Sequence, residues 1–299
     1  MFGSIFGIDG QTLMIIIGAG LFIWLTISRL DKTGIGNNMV NRLIVICVIA
    51  ALTMIIGARF FDCLWHATDN GYFENLPKLI DEVGIIGAIF KKNSDPNGDP
   101  IGFFDQGGIT FLGGLYGAIF GYLISYWFIF KHERHNIIHY LNIILPGLIL
   151  AHGLGRVGCF LVGCCTGIKA PEPFGMIFPY SGDEIAKVHT VLPTNLYEAI
   201  FLFILFAILF FGIKKNQTKI YMLSYGVFRF FLEFLRGDSR GKVPFIDFLT
   251  PSQFLSLIMI IVGILLFVFE NKLTDWFKKF NKPLKVKKMQ EKKEKQNEA

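Results

Sequence analysis

Seven stretches of mostly apolar residues limit what this chain can become. They cover 12–30, 42–65, 109–130, 137–154, 193–213, 218–236 and 253–270. A run of about 17–25 such residues is long enough to cross the hydrocarbon of a bilayer as a helix. Water is missing there, so every backbone N–H and C=O must find its partner inside the protein, and a helix provides this. Composition agrees: 53% of the 299 residues are hydrophobic and 17% are charged, where soluble domains carry about 25% charged residues. The expected architecture is an all-α polytopic membrane protein with seven transmembrane helices. Pro146 and Gly147 interrupt the fourth stretch, which makes it the least regular. The first stretch has no basic residues ahead of it and no clear small-x-small site before Arg29. It is therefore expected to stay as a span and not to be cleaved as a leader.

Charge between the stretches sets an orientation. Arg29, Lys32 and Arg42 follow the first, Lys131 and Arg134 the third, and Lys214, Lys215 and Lys219 the fifth. The opposite connections are acidic or mixed, with Asp69, Glu74, Asp81, Glu82, Asp95, Asp99 and Asp105 in one and Glu172, Asp183 and Glu184 in another. Basic connections stay in the cytoplasm, so the N-terminus is expected outside and the C-terminus inside. Two regions follow: a membrane domain over 1–271 and a Lys-rich cytoplasmic tail over 272–299, expected to be disordered. The tail holds ten lysines against four acids, which equals the net charge of +6 of the whole chain. Such a tail suits anionic lipid heads, and nothing in it points to nucleic acid.

Against this apolar background the polar residues need reasons. The segment A-H-G-L-G-R-V-G-C-F-L-V-G-C-C-T-G, 151–167, holds one histidine, one arginine, three cysteines and five glycines. A charge at membrane depth is costly and faces a protein interior or a water-filled cavity. Gly-rich irregular backbone at that depth must line such a cavity too. The alternative is a solvated loop with its arginine at the interface. His152 and Arg156 are four apart and share a face if helix continues through them. Arg59, near the outer end of the second stretch, either snorkels to the interface or turns into a central cavity. The segment 105–118, with Gly113 and Gly114, brings backbones together or leaves room for lipid. Thr194 is placed to cap the fifth span, and Glu198 in its first turns is accounted for by the helix dipole alone. In the sixth span Tyr225, Arg229, Glu233 and Arg236 form one polar stripe. Either Arg229 and Glu233 close on each other, or a carboxylate holds an arginine ready for phosphate, whose oxygens match the guanidinium fork.

Cys47 and Cys63 lie in the second stretch and serve as small apolar residues. Cys159, Cys164 and Cys165 cluster in sequence. They can fill space beside glycines, act as a thiol nucleophile, form a disulfide or, with His152, hold zinc. The spacing C-x4-C-C matches no common zinc pattern, so no metal is assigned.

Five blocks together resemble the prolipoprotein diacylglyceryl transferase family, polytopic bacterial enzymes. They are G-A-R at 57–59, G-G-x-x-F-x-G-G-L-x-G at 107–117, G-R-x-G-x-F-x-x-G at 155–163, P-T-x-L-Y-E at 193–198 and Y-G-x-F-R-x-x-x-E-F-x-R at 225–236. The resemblance covers most of the chain. It implies an enzyme of the bacterial plasma membrane that moves a diacylglyceryl group from phosphatidylglycerol to the lipobox cysteine thiol in a prolipoprotein signal peptide. Glycerol-1-phosphate is released, and no metal or organic cofactor takes part. By position, Arg156 would hold the lipid phosphate, and Arg229 with Glu233 would form a second, gate-like charged pair. Tyr225 and Gly167 also match. His152, Arg156, Tyr225, Arg229 and Glu233 are thus the expected catalytic set. Arg59, Gly113, Gly114, Arg156, Gly158, Cys159, Cys164 and Gly167 are expected to contact substrate lipid.

The chain also departs from the family pattern. The histidine of F-H-G-G is Leu112, the asparagine of G-R-x-G-N-F is Cys159, the glutamate five residues later is Cys164, and the histidine before P-[ST]-x-L-Y-E is Leu192. His152 is then the candidate base. A diverged member with another acceptor, or a lipid-binding protein without catalysis, are the alternatives.

Overall fold

A computed structural model describes residues 9–31, 37–65, 111–132, 134–179, 181, 184–237 and 248–279. Expectations for the outer segment 66–110, and for the chain beyond 279, lie outside the described residues. So do the side chains of Arg59, Cys63 and Leu112 and the surroundings of Gly113, although their backbones are helical.

The long helices are α1 (Gly10–Asp31), α2 (Asn37–Trp65), α3 (Phe111–Ile129), α4 (Ile137–Val162), α6 (Thr194–Ala207), α7 (Gln217–Leu232) and α8 (Pro251–Lys279), with a short α5 (Glu184–Val188) between α4 and α6. Each of the seven apolar stretches falls on one of the long helices. Among the described residues β-structure is limited to isolated bridges. Among the described residues five helices are long and apolar enough to cross a membrane, and Tyr116–Ile129 is a shorter apolar one. Their outward faces carry exposed Ile15, Ile16, Trp24, Leu52, Ile55, Phe120 and Phe128. Exposed apolar side chains of this kind suit lipid as solvent. The protein is an all-helical, multi-pass membrane protein. α8 continues through Lys279, past the 271/272 boundary read from charge.

The helices fall into two compact units, one with α1 and α4–α8 and the other with α2 and α3. In the second, α2 and α3 meet through small residues. A Cβ on Gly117 or Gly121 would collide with Thr53, and one on Gly114 would touch Ala58 and Met54 at 3.4 Å. Apolar helices gain nothing from water when they associate in lipid, so close van der Waals contact between small residues holds them.

In the first unit, Asp9 caps α1 by accepting from the Thr12 N–H and hydroxyl, both at 2.8 Å. The Thr12 backbone bond holds the Asp9 carboxyl below the usual carboxylate range. α1 then packs along α4. A Cβ at Gly158 would lie 3.0 Å from Gln11 Cα, and one at Gly18 3.3 Å from Ala151 Cα.

α4 runs unbroken through Pro146. Proline has no N–H for the carbonyl four residues back, here Asn142. Arg29 Nη2 donates to that carbonyl at 3.2 Å and to Gln217 Oε1 at 2.9 Å. The α6 helix ends in a π turn, Ile208–Gly212, which disturbs the carbonyl ladder in the same region. Fully buried Gln217 donates its amide to the Leu209 and Ile213 carbonyls, and Asn142 Oδ1 accepts from the Thr218 N–H and hydroxyl at 2.8 Å. One knot of Arg29, Asn142, Gln217 and Thr218 thus satisfies two local defects in the helices.

Two expectations are corrected. Residues 151–162 are regular helix, not Gly-rich irregular backbone; the chain leaves the helix only at Gly163, which caps it in the left-handed conformation (φ 76°). Thr194 does not cap α6 through its hydroxyl. It is the first helical residue, and the hydroxyl donates to the Cys165 carbonyl at 2.9 Å.

Candidate active site

Three helices of the first unit bring charge together at one carboxylate. Glu198, on the second turn of α6, is fully buried. Its Oε1 accepts from the Tyr225 hydroxyl of α7 at 2.7 Å. Arg156 Nε of α4 lies 3.2 Å from the same oxygen, His152 Nε2 3.8 Å and Arg229 Nε of α7 3.9 Å. His152 and Arg156 do share a face, because α4 continues through both. The His152 ring meets Tyr225 edge to face at 5.4 Å, and Tyr221 stacks on Tyr225. Leu145, Ile149, Leu202, Leu205 and Leu209 pack with Tyr225 as the apolar floor.

From Glu198 the ion pairs continue along α7. Arg229 Nη1 is 2.7 Å from Glu233 Oε2, and Arg236 Nε is 3.9 Å from that oxygen. The Thr250 hydroxyl donates to Glu233 Oε1 at 2.9 Å, and Arg229 Nη2 donates to the Ser252 hydroxyl at 3.1 Å. Arg156, Glu198, Arg229, Glu233 and Arg236 are all buried and form one connected chain. Among the described residues this connected chain contains three arginines and two carboxylates. At an effective dielectric constant of about 20, two unit charges 4 Å apart interact by about 4 kcal/mol. Buried guanidinium groups therefore attract an anion strongly. The acceptor bonds concentrate on Glu198 Oε1; buried Oε2 has no hydrogen-bond partner among the described residues.

The loop after α4 closes over this region. Gly167 N–H donates to the Leu192 carbonyl at 2.7 Å and Ile168 N–H to the Leu235 carbonyl at 2.9 Å, while Gly167 and Arg236 form a bridge. A Cβ on Gly167 would lie 2.5 Å from the Leu235 carbonyl oxygen. Only glycine fits that crossing. Cys159, Cys164 and Cys165 sit half-buried nearby, and Arg236 hydrogen-bonds to the Cys165 thiol. Hydrogen bonds with Cys159 and Cys164, and then the Arg236 charge, hold Cys165 below the usual thiol range.

The expected catalytic residues His152, Arg156, Tyr225, Arg229 and Glu233 are thus brought together. Gly158 faces α1, Gly167 fixes the loop crossing, and Gly114 packs on α2 within the other unit. The residue that sequence reasoning passed over is Glu198. The helix dipole explained it too easily, although a carboxylate inside an apolar span calls for a partner and P-T-x-L-Y-E ends on it.

The fold and this cluster define a polytopic membrane protein whose first unit buries a connected set of arginines and carboxylates. The profile of the family described as prolipoprotein diacylglyceryl transferase matches residues 4–269, and the chain belongs to that family. It is 40% identical over 158 residues to the phosphatidylglycerol–prolipoprotein diacylglyceryl transferase of Clostridium tetani, covering 51% of this chain and 62% of that one. To the Clostridium perfringens enzyme of the same name, numbered 2, it is 38% identical over 175 residues, covering 56% and 66%. To that of Finegoldia magna it is 29% identical over 270 residues, covering 88% and 92%. In the two clostridial relatives the matched part is less than two thirds of their length.

Proposed function

We propose that this chain is a phosphatidylglycerol–prolipoprotein diacylglyceryl transferase of the bacterial plasma membrane. The observation that carries this reading is the buried Arg156–Glu198–Arg229–Glu233–Arg236 chain, which holds guanidinium groups of α4 and α7 around one carboxylate that His152 also approaches. Guanidinium groups match the oxygens of a phosphodiester headgroup. The names of the relatives support the same substrates.

In this reaction the lipobox thiol sulfur bonds to a glyceryl carbon. The bond from that carbon to the phosphate oxygen breaks, and its electron pair leaves on glycerol-1-phosphate. The thiol proton goes to a base. Arg156 and Arg229 are the groups that receive the phosphate, and their attraction grows as charge builds on the leaving oxygen. Leu112 cannot accept a proton. His152 and Glu198, 3.8 Å apart, stand as the base pair, and Glu198 Oε2 retains free acceptor capacity. Tyr225 positions Glu198 through its hydroxyl. Seven crossings with the N-terminus outside place this loop-covered end of α4 and α6 on the outer side, where a translocated signal peptide arrives. That orientation rests on the distribution of Lys and Arg.

Purified protein, labelled phosphatidylglycerol and a lipobox peptide test the reading. Thioether-linked diacylglycerol is expected, lost in Arg156→Ala and strongly reduced in His152→Ala. Arg156-dependent lipid binding without product would overturn the reaction. It would leave a family member with another acceptor, or the lipid-binding protein without catalysis that the loss of the histidine at Leu112 favours.

A further inference from the structure

Three thiols lie outside the charge chain and form a cluster of their own. We propose that Cys159, Cys164 and Cys165 bind one thiophilic d10 cation, zinc(II) or copper(I), through their sulfurs.

Geometry comes first. The three Sγ atoms all lie within 4.8 Å of one another. Around an ion with metal–sulfur bonds near 2.3 Å, the sulfurs are roughly 3.8–4.0 Å apart. Closing the triangle therefore needs shifts of about 1 Å or less, within the reach of χ1 adjustments. Cys47, in contrast, belongs to no such group among the described residues.

The backbone holds the thiols in place before any ion arrives. Gly163 turns the chain back in the left-handed conformation, and Cys164 N–H donates to the Cys159 carbonyl at 3.1 Å. The carbonyls of the two adjacent cysteines are each held by α6. Asn195 Nδ2 donates to Cys164 O at 2.8 Å and Thr194 Oγ1 to Cys165 O at 2.9 Å. Cys165 has φ 61°, a left-handed conformation that costs a non-glycine residue about 1–3 kcal/mol and persists only when its surroundings enforce it. Glycine would sit there without that cost; cysteine brings a sulfur.

Charge supports the same assignment. Three thiolates leave a zinc complex with one net negative charge and a copper(I) complex with two. Arg236, hydrogen-bonded to Cys165, and Arg156, near the cluster, supply the balancing positive charge. Soft thiolates select these ions over harder cations. Copper(I) is satisfied by three sulfurs, whereas zinc(II) takes a solvent oxygen as fourth ligand. Binding forms three metal–sulfur bonds and displaces to solvent whatever protons the three sulfurs carry, with no change of oxidation state. A C-x4-C-C spacing hides this, because the chain reversal at Gly163 does not show in the sequence.

The test uses the full-length chain in detergent, reduced and freed of metal. Zinc(II) and copper(I) are added separately, each in competition with a chromophoric chelator. One equivalent of at least one ion is expected to stay bound, and the preferred ion tells the two apart. On the unsubstituted protein, the count of thiols open to alkylation should fall by three when that ion is present. Cys159→Ser, Cys164→Ser and Cys165→Ser should each weaken binding by about 100-fold or more, Arg236→Gln by about 10-fold, and Cys47→Ser not at all. Stoichiometric binding that survives the triple Cys→Ser variant, binding of neither ion, or an unchanged thiol count would each overturn the proposal. Because the thiol count needs no variant, it stands even if one of them fails to fold.

Discussion

Two buried polar clusters in the same unit of this protein follow opposite rules. The first is the Arg29–Asn142–Gln217–Thr218 knot. It holds a single charge, and its side chains spend their hydrogen bonds on carbonyls left over by Pro146 and the π turn. The second is the charge chain around Glu198. It holds five charged side chains, and it leaves Glu198 Oε2 and His152 Nε2 without hydrogen-bond partners among the described residues. Buried polar groups are normally paired, and each exception asks for an explanation. The knot repairs helices. The charge chain keeps capacity in reserve for something that is not part of the chain itself. A buried polar residue in lipid is therefore not functional by itself; the open valence is the sign.

The comparison can be broken or sharpened by experiment. The largest expected effect is on Arg156. Arg156→Ala should lower lipid transfer by about 10³-fold or more while the protein still purifies as a folded species, since it removes a donor to developing phosphate charge. Glu198→Gln should follow with about a 10²–10³-fold loss of kcat, because it keeps the shape and removes the charge that orients both arginines. If either variant transferred lipid normally, the two clusters would be alike and both structural. Gln217→Ala should do the reverse. It strands the Arg29 fork and two carbonyls, so thermal unfolding in detergent should report a loss of about 2–4 kcal/mol, with transfer per folded molecule retained. Gly167→Ala forces the Leu235 carbonyl away from the loop crossing and should cost about 1–3 kcal/mol, with a partial loss of activity. The smallest effect belongs to Thr250→Val. It removes the 2.9 Å bond to Glu233 and should cost about 1 kcal/mol, measured as a small shift in the same unfolding curve.

Much of this was legible in the residues. Apolar length gave every long helix, because lipid leaves the backbone no other choice. The i, i+4 spacing of His152 with Arg156, and the stripe from Tyr225 to Arg236, gave most of the candidate site. Glu198 was not legible, since a carboxylate in the first turns of a helix already has a local reason to be there. Neither was the Arg29 knot, whose members are far apart in sequence and joined by a π turn that no pattern announces. The three-thiol cluster stayed hidden behind a helix end. In each case the missing information was a contact between elements, which periodicity within one element cannot carry.

The pairing of Arg156 with Glu198 also bears on how the protein is made. Arg156 leaves the ribosome before Glu198 does. Until α6 arrives, α4 would place a lone guanidinium in hydrocarbon, at a cost of several kcal/mol. α4 is therefore expected to linger at the insertion machinery until its partner is synthesised and to enter the bilayer as part of a helix pair. The ion pair that organises the mature site thus also sets a timetable for biogenesis, with α4 and α6 committed together and α7 recruited to them afterwards.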